Sequence, residues 1–184
     1  MAKPFSLYLG QTETIITVLT IRHTTIADIP LIRELTFKVW PQTYRDILTN
    51  EQIDYMLARM YSIETLREEI QLQGIRFVRL LVDDRFVGFA SYGPAPEPGA
   101  MKLHTCYLLP EMHGRGLGSL LLQHCERAAR QLGARRLMLA VNKRNTKAVV
   151  AYQRNGFTVT ESVVTDFGSG FVMDDFIMAK DLRP

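Results

Sequence analysis

Apolar positions along the chain follow two periods, and their order predicts strands alternating with helices. Strands are predicted at 16–23, 76–82, 86–92, 103–109, 136–141, 157–165 and 171–179. Helices are predicted at 28–39, 50–60, 63–73, 117–132 and 145–155. This pattern favours an α/β or α+β fold, with one mixed central sheet of about seven strands and helices on both faces. Residues 1–15 are expected to be an N-terminal extension, and 16–184 a single domain.

The helix predicted at 117–132 has the clearest amphipathic pattern. Its apolar residues fall at helical spacing on one stripe, at Leu117, Leu121, Cys125, Ala128 and Leu132. Gly133 follows directly and is a typical helix C-terminal residue. The strand before this helix and the glycine-rich segment between them therefore form a strand–loop–helix unit.

Composition narrows the function classes. The 184 residues are 47% hydrophobic and 22% charged, as in an ordinary globular domain. No apolar run approaches the ~20 residues of a membrane span. The two cysteines, Cys106 and Cys125, are too few for a disulfide framework or a zinc site. The four histidines show no paired metal-ligand spacing, so no metal is expected. We interpret the chain as a cytoplasmic protein with reduced thiols.

The net charge of +3 hides a basic segment. Residues 102–147 contain nine Lys or Arg and two acidic residues, whereas the parts before and after are each slightly acidic. Such a segment favours a bound anion. It lacks the interleaved aromatic residues of a single-strand binder and shows no helix-turn-helix pattern, so nucleic acid is not expected as a partner.

The segment 109–118, Leu-Pro-Glu-Met-His-Gly-Arg-Gly-Leu-Gly, is a candidate phosphate loop. Glycines let the backbone approach a ligand closely, and free N–H groups at a helix N-terminus attract phosphate. The segment has no Gly-Lys-Ser/Thr, which excludes a Walker loop, and its glycine spacing differs from the dinucleotide fingerprint. A tight structural turn is the alternative interpretation.

This segment resembles the Gln/Arg-x-x-Gly-x-Gly/Ala motif of the GNAT acetyltransferase superfamily, with His113, Gly116 and Gly118 at the marked positions. His113 departs from the usual Gln or Arg. A second similarity, Asn145-x-x-Ala-x-x-x-Tyr152-x-x-x-Gly-Phe, follows the next strand. The resemblance covers about residues 20–182 and implies a GNAT fold, with acetyl-CoA as the cofactor.

The resemblance also implies a set of cofactor contacts. The strand before the loop is expected to splay from its neighbour, which would free the backbone of Tyr107, Leu108 and Leu109 for the pantetheine arm. The loop and the first helical turn would hold the pyrophosphate through His113, Gly114, Arg115, Gly116, Leu117, Gly118 and Ser119. Asn145 would cap its own helix or contact the cofactor.

Direct transfer within a ternary complex is the chemistry that the resemblance implies. Tyr152 lies where the family usually places the general acid, and a phenol with an ordinary pKa of ~10 suits a thiolate leaving group. His104 is the candidate base, since some members use a residue of this strand. The structural alternatives are an interface aromatic with its hydroxyl at the surface for Tyr152, and a hydrogen-bonded core residue or a surface residue for His104. Covalent catalysis is rejected, because Cys125 falls on the apolar stripe as a buried residue and Cys106 has no evident base beyond His104.

The acceptor is expected to be the amine of a small molecule. Trp40-Pro-Gln-Thr-Tyr44 and the terminal Gly170-Phe-x-Met-Asp-Asp175 are similar to a bacterial branch that includes polyamine N-acetyltransferases. Glu34, Trp40, Tyr44 and Tyr92 are the candidate substrate-binding residues. Two alternatives stay open, a protein N-terminal or lysine acetyltransferase and a non-catalytic acyl-CoA-binding regulatory domain. By analogy with similar proteins, a homodimer is expected.

Overall fold

The computed structural model describes residues 4–6 and 16–182, and its backbone forms one mixed sheet flanked by helices. The strands are β1 Pro4–Ser6, β2 Ile16–His23, β3 Arg76–Val82, β4 Arg85–Pro94, β5 Ala100–Leu108, β6 Arg136–Asn142, β7 Thr158–Gly168 and β8 Phe171–Asp181. The helices are α1 Ile29–Tyr44, α2 Asn50–Met60, α3 Ile63–Gln71, α4 Leu117–Gln131 and α5 Thr146–Arg154. The predicted elements and fold class are confirmed.

The sheet has the strand order β1-β2-β3-β4-β5-β6-β8-β7. Neighbouring strands pair antiparallel except β5 and β6, which pair parallel. The short β1 falls within the predicted N-terminal extension and pairs with the start of β2. The rest of that extension, 1–3 and 7–15, lies outside the described residues, as do 183–184, so the domain boundary stays a prediction.

Each face of the sheet carries its own core. Val78, Leu80 and Ala90 point to the side of α4 and α5, where Leu121 and Cys125 are buried against them. Residues one position away in the same strands, Phe77 and Phe89, pack on the opposite side. Both alternate sets of side chains are apolar because helices cover both faces.

The core on the other face is built by α1, α2 and α3. Its largest buried side chain is Trp40 of α1, whose ring centroid lies 4.7 Å from that of Tyr44. Helix α1 extends past its predicted end near residue 39 and contains Pro41. This last turn carries Tyr44 to a buried position at the end of the helix.

Candidate active site

A wedge opens in the middle of the sheet between β5 and β6. Among the described residues, their parallel pairing covers only Ala100–Leu103 against Arg136–Leu139. Beyond that point β5 stays paired with β4, while β6 stays paired with β8 as far as Asn142 and Asp175. The register places Ser91 opposite Thr105 and Tyr92 opposite Leu103, so His104 is the extra residue of a β-bulge. Bulges bend a strand, and this one lies where the two strands part.

Two β5 residues turn their backbone groups toward this wedge. The Leu109 N–H donates to the Val87 carbonyl at 2.9 Å, across the β4 side. Because opposite residues in an antiparallel pair alternate between bonded and non-bonded, the backbone groups of Cys106 and Leu108 point away from β4 and into the wedge. The pattern therefore supports the predicted cofactor role of Leu108 and adds Cys106, which sequence analysis missed.

The predicted backbone contacts of Tyr107 and Leu109 need correction. By the same alternation, Tyr107 faces β4 with its N–H and carbonyl. The Leu109 carbonyl already accepts from the Met112 N–H at 2.9 Å, so both of its backbone groups are used inside the protein. Tyr107 contributes to the site with its side chain instead, as described below.

The glycine loop leaves a row of N–H groups without acceptors. Gly114 and Gly116 both have φ of 75°, a left-handed conformation that favours glycine. The first backbone bond of α4 runs from Leu120 N–H to the Gly116 carbonyl at 3.1 Å. Within the residues described, no acceptor is found for the N–H groups of 114–119. This arrangement at a helix N-terminus fits a pyrophosphate.

The remaining residues of the two motifs lie around this loop. The His113 ring Nε2 lies 3.2 Å from the Leu108 carbonyl and so ties the loop to the end of β5. Arg115 is exposed, and Ser119 is half-buried in the first turn of α4. Asn145 accepts a hydrogen bond from the Ala148 N–H at 3.3 Å through Oδ1, so it caps α5 as one of its two predicted roles requires.

Tyr152 of α5 lies beside the wedge. Its ring meets Phe157 edge-on, with centroids 5.9 Å apart. Burial raises the pKa of the Tyr152 hydroxyl well above its ordinary value, and the neighbouring Cys106 and Tyr44 raise it further. The phenol is therefore protonated at neutral pH, which is the form that a general acid needs.

A cavity of ≈ 170 Å³ lies on the α1–α3 side of the wedge. Its lining includes four predicted site residues, Trp40, Tyr44, His104 and Tyr107. The phenol of Tyr44 is close enough to Tyr107 and Asn145 for both to affect its pKa, which burial raises well above the ordinary value. Tyr44 thus lines the cavity and also lies near Asn145 and Tyr152, so the cavity adjoins the wedge at this residue.

Two of the predicted substrate-binding residues lie elsewhere. Glu34 is exposed on α1 and pairs with Lys38 at 2.6 Å. Tyr92 is 1% exposed and packs in the core on the α4 side of the sheet, away from the cavity. The structure therefore does not bring Glu34 or Tyr92 to this cavity. The helix phase turns Glu34 to solvent, and strand alternation turns Tyr92 to the opposite face.

Sequence analysis missed two acidic residues in the cavity wall, Glu69 of α3 and Asp175 of β8. Burial raises the pKa of Glu69 to about 7. Burial and the neighbouring Asp174 raise the pKa of Asp175, while Lys102 acts in the opposite direction. Burial, with a smaller effect of Lys102, lowers the pKa of His104 to about 4. The only sequence signal was Asp175 in the terminal pattern, because Glu69 follows Glu68 on what looks like a solvated helix face.

Four buried polar atoms of the cavity wall have no hydrogen-bond partner among the described residues. They are Trp40 Nε1, the Tyr61 hydroxyl, His104 Nε2 and Asp175 Oδ1. Buried polar groups in proteins are nearly always paired. Donors and acceptors left free together in one cavity indicate a site built for a polar ligand.

Residues 32–157 match the acetyltransferase (GNAT) family. The chain belongs to the GNAT acetyltransferase family. The acetyltransferase is 29% identical over 158 residues to a spermidine N(1)-acetyltransferase of Thermoplasma acidophilum, covering 84% of this chain and 94% of the relative. The predicted family, the acyltransferase activity and acetyl-CoA as the acetyl donor are confirmed.

Solved structures share the fold. The PaiA N-acetyltransferase of Thermoplasma acidophilum, crystallised in complex with coenzyme A, superposes with a TM-score of 0.76 at 27% identity, over 89% of this chain and 98% of that one. The ribosomal-protein-S18-alanine N-acetyltransferase of Escherichia coli has a TM-score of 0.68 at 18% identity, over 90% and 95% of the two chains. The second match shows the fold alone.

Both thiols of the acetyltransferase are held protonated. Burial raises the pKa of Cys106 to about 12 and also raises that of Cys125. The thiolate is the nucleophilic form of cysteine, so neither side chain is activated for covalent catalysis. In the described part of the chain, no group of three side chains is placed to hold a metal ion. Across 4–6 and 16–182, none of the helices combines the length and apolar character needed to cross a bilayer.

Glu69 makes stability depend on pH. Its pKa of about 7 lies above the ordinary value of 4.5, so the folded protein binds more protons than the unfolded chain between these pH values. The free energy of unfolding therefore loses a contribution as pH rises from 4.5 to 7. We expect Glu69→Gln to gain stability relative to wild type across this window, as measured by urea unfolding at several pH values. Glu68→Gln, exposed on the same helix, should track wild type, and parallel curves for Glu69→Gln would contradict the prediction.

Proposed function

We propose that this acetyltransferase moves an acetyl group from acetyl-CoA to the amine of a small molecule by direct transfer, with the cavity as the acceptor site. One observation carries the proposal: the cavity, with its four unpaired polar atoms, adjoins the wedge beside Tyr152. Acetyl-CoA supplies the acetyl thioester, whose transfer forms an N–C bond and breaks the C–S bond. The free N–H groups of 114–119 hold the pyrophosphate, and the Cys106 and Leu108 backbone groups hold the pantetheine arm.

His104 and Tyr152 lie on opposite sides of the reacting groups. An alkylamine with a pKa of ~10 is protonated at neutral pH and must lose a proton to water before it can attack. Burial keeps His104 neutral, and with the ring proton on Nδ1 its Nε2 accepts a hydrogen bond from the neutral amine and orients it, while a pKa of about 4 is too low for His104 to deprotonate the ammonium form. On the other side of the wedge, the protonated Tyr152 hydroxyl donates its proton to the sulfur that leaves.

The cavity wall suits a cationic amine. Aromatic faces and carboxylates both attract ammonium groups, and here Trp40, Tyr44 and Tyr61 lie in one wall with Glu69 and Asp175. This combination, with the spermidine-acetylating relative, makes polyamines and shorter diamines the first acceptors to test. At ~30 Å³ per water the cavity has room for about six water-sized groups, so an acceptor of spermidine length would extend beyond it.

The small volume of the cavity, ≈ 170 Å³, favours a small molecule over a protein substrate. Phe167, from the tip of the β7–β8 hairpin, forms part of its wall. The tip is anchored to α2 by a hydrogen bond from the Tyr55 hydroxyl to the Phe167 carbonyl at 2.9 Å. Our proposal includes a cytoplasmic location, where acetyl-CoA is available, and a homodimer, which size-exclusion chromatography tests.

Thiol release from acetyl-CoA in the presence of a panel of primary amines tests the function. We expect turnover with short amines and intersecting initial-velocity lines, as direct transfer requires. Asp175→Asn should lower kcat/KM for the amine by about 10- to 100-fold, because a hydrogen bond to a charged group is worth ~1.5–3 kcal/mol. Its KM for acetyl-CoA should stay unchanged.

Asp174→Asn is the matched control, because this neighbouring carboxylate is exposed and does not line the cavity. Equal losses in both variants would argue against the cavity as the acceptor site. Turnover only with peptide amines would support the protein-acetylating alternative.

A further inference from the structure

The tip of the β7–β8 hairpin is fixed to α2 by side chains of that helix. The Phe167 carbonyl accepts a hydrogen bond from the Tyr55 hydroxyl at 2.9 Å and another from the Arg59 guanidinium. On the other strand of the hairpin, the Val172 carbonyl accepts a hydrogen bond from the Gln52 side-chain amide at 2.7 Å. The three donors are spaced i, i+3 and i+7 along α2, so they lie on one face of the helix. Both strands of the tip are therefore held in place relative to α2.

A β-bulge at the same tip directs the Phe167 side chain. Asp166 lies opposite Val172, and Gly168 lies opposite Phe171. Phe167, between them, is thus the extra residue of the bulge. The Gly168 N–H donates to the Asp166 side chain at 2.7 Å, which stabilises this local bend. Bulges are common beside active sites, where they turn a side chain in a new direction, and here the Phe167 side chain forms part of the cavity wall.

Three methionines line the cavity together with Phe167. They are Met56 and Met60 of α2 and Met173 of β8. Met56 and Met173 are only 1% and 6% exposed, whereas Met60 and Phe167 are half-buried. Met60 and Phe167 therefore mark the end of this apolar section that faces the solvent, which we call the outer end of the cavity.

Strand β8 separates the outer end from the reacting end. Asp175 is close enough to Tyr44 to act on its phenol, so it lies where the cavity adjoins the wedge. Phe171, opposite Gly168 at the hairpin tip, comes four residues before Asp175 on β8. At ~3.3 Å per residue, the backbone of the tip is about 13 Å from that of Asp175. An amine that reacts at the wedge thus extends its carbon chain past the methionines toward Phe167.

The side chains of the apolar section differ in how far they can yield to a longer chain. Methionine is unbranched and has three rotatable bonds, so it adapts to the shape of a ligand. The phenyl ring of Phe167 is rigid, and its backbone is held by Tyr55 and Arg59. Among these four side chains, the one that limits the length of the cavity is therefore Phe167.

We propose that Phe167 is the specificity-determining residue for acceptor length, because its ring closes the outer end of the cavity and stops carbon chains longer than about six heavy atoms. This inference rests on the proposed function in placing the acceptor in this cavity. It separates short primary amines from longer ones of the same chemistry.

Fluorescence of Trp40, the single tryptophan of the chain and part of the cavity wall, gives a binding signal that does not depend on turnover. The protein, saturated with CoA, is titrated with straight-chain alkylamines of three to eight carbons, which differ only in length. We expect the affinity to rise about fourfold for each CH₂ group that becomes buried and to stop rising at about five or six carbons. A wild-type affinity that keeps rising through octylamine would overturn the inference.

Variants link the length limit to Phe167. In Phe167→Ala the rise should continue for at least two more carbons, so the ratio of octylamine to pentylamine affinity should exceed that of wild type by about tenfold or more. Phe167→Leu, a smaller change of the same kind, should extend the rise by about one carbon and keeps the test in force where the alanine variant does not fold.

Phe171→Ala is the matched control. Phe171 belongs to the same hairpin tip, where its ring centroid lies 5.2 Å from that of Tyr55, but it does not line the cavity. This variant loosens the tip without removing the ring that closes the cavity, so it should keep the wild-type length limit. The same length profile in wild type and both Phe167 variants, or an equal extension in Phe171→Ala, overturns the inference.

The two failures are distinguishable. Binding with the length limit, but without acetyl transfer to any amine, would refute the proposed function and leave the role of Phe167 intact. Acetyl transfer to amines with no length limit, or with one that Phe167→Ala and Phe167→Leu leave unchanged, would do the reverse.

Discussion

Replacement of Tyr152 by Phe is expected to lower kcat by about 10²–10⁴-fold, the usual range for loss of a general acid. The hydroxyl is the group that is lost, while the ring and its edge-on contact with Phe157 remain. The departing thiolate would then have to take its proton from water. Since the phosphate-binding N–H groups belong to another loop, the affinity for CoA should change by less than about twofold.

Steady-state kinetics and isothermal titration with CoA together check this prediction. Gln153→Ala, the exposed neighbour on α5, is the control and should keep wild-type activity. Wild type and Tyr152→Phe turning over at the same slow rate would favour the regulatory, non-catalytic alternative. A large loss of CoA affinity would show instead that Tyr152 mainly holds the cofactor.

The second large effect is expected at Gly116. Its φ of 75° makes an alanine strained there by ~1–2 kcal/mol. A Cβ built at this position meets nothing of the protein within 4 Å. In the loop that we assign to the pyrophosphate, we expect the added methyl group to crowd a bound phosphate. Displacing one or two charge-assisted hydrogen bonds of ~1.5–3 kcal/mol each should weaken CoA binding by about tenfold or more.

Gly133→Ala separates strain from loss of the cradle. Gly133 has φ of 82° and also meets nothing within 4 Å, but it lies beyond the opposite end of α4. Both variants should lose similar stability in urea unfolding, and only Gly116→Ala should lose CoA affinity in calorimetry. Similar affinity losses in both would mean that a general loosening of the fold, rather than the cradle, is responsible.

Local sequence predicted the strand–loop–helix unit to which the cofactor contacts are assigned. The glycine loop lies within one strand–loop–helix unit, so its geometry follows from residues that are close along the chain. The N-cap of α5 could be predicted for the same reason, because Asn145 immediately precedes the helix that it caps. Strand alternation could not be assigned to a face, because both faces of the sheet are covered by helices. This is why the sequence did not reveal that Tyr92 faces the α4 side. The backbone roles of Tyr107 and Leu109 depend on the pairing register of β4 and β5, which single-sequence patterns do not fix.

The acceptor side depends on contacts that sequence spacing does not reveal. Glu69, His104 and Asp175 come from α3, β5 and β8, and they line one cavity only in the folded domain. The exposed position of Glu34 could have been predicted from the sequence. The buried stripe of α1 contains Ile32 and Leu35, and helical periodicity turns Glu34 away from it. Nothing in the sequence pattern predicts the β-bulge at His104.

A single-turnover experiment tests the central claim most directly, that the acetyl group passes from acetyl-CoA to an amine held in the cavity. Excess wild-type protein is mixed with acetyl-CoA and a short primary amine, and the reaction is quenched. The masses of the amine and of the protein are then measured by mass spectrometry. The account predicts acetylated amine in amounts matching the CoA released, with no acetyl group on the protein at any time. Acetyl-protein forming before the product, or no acetylated amine from any member of the panel, would contradict it.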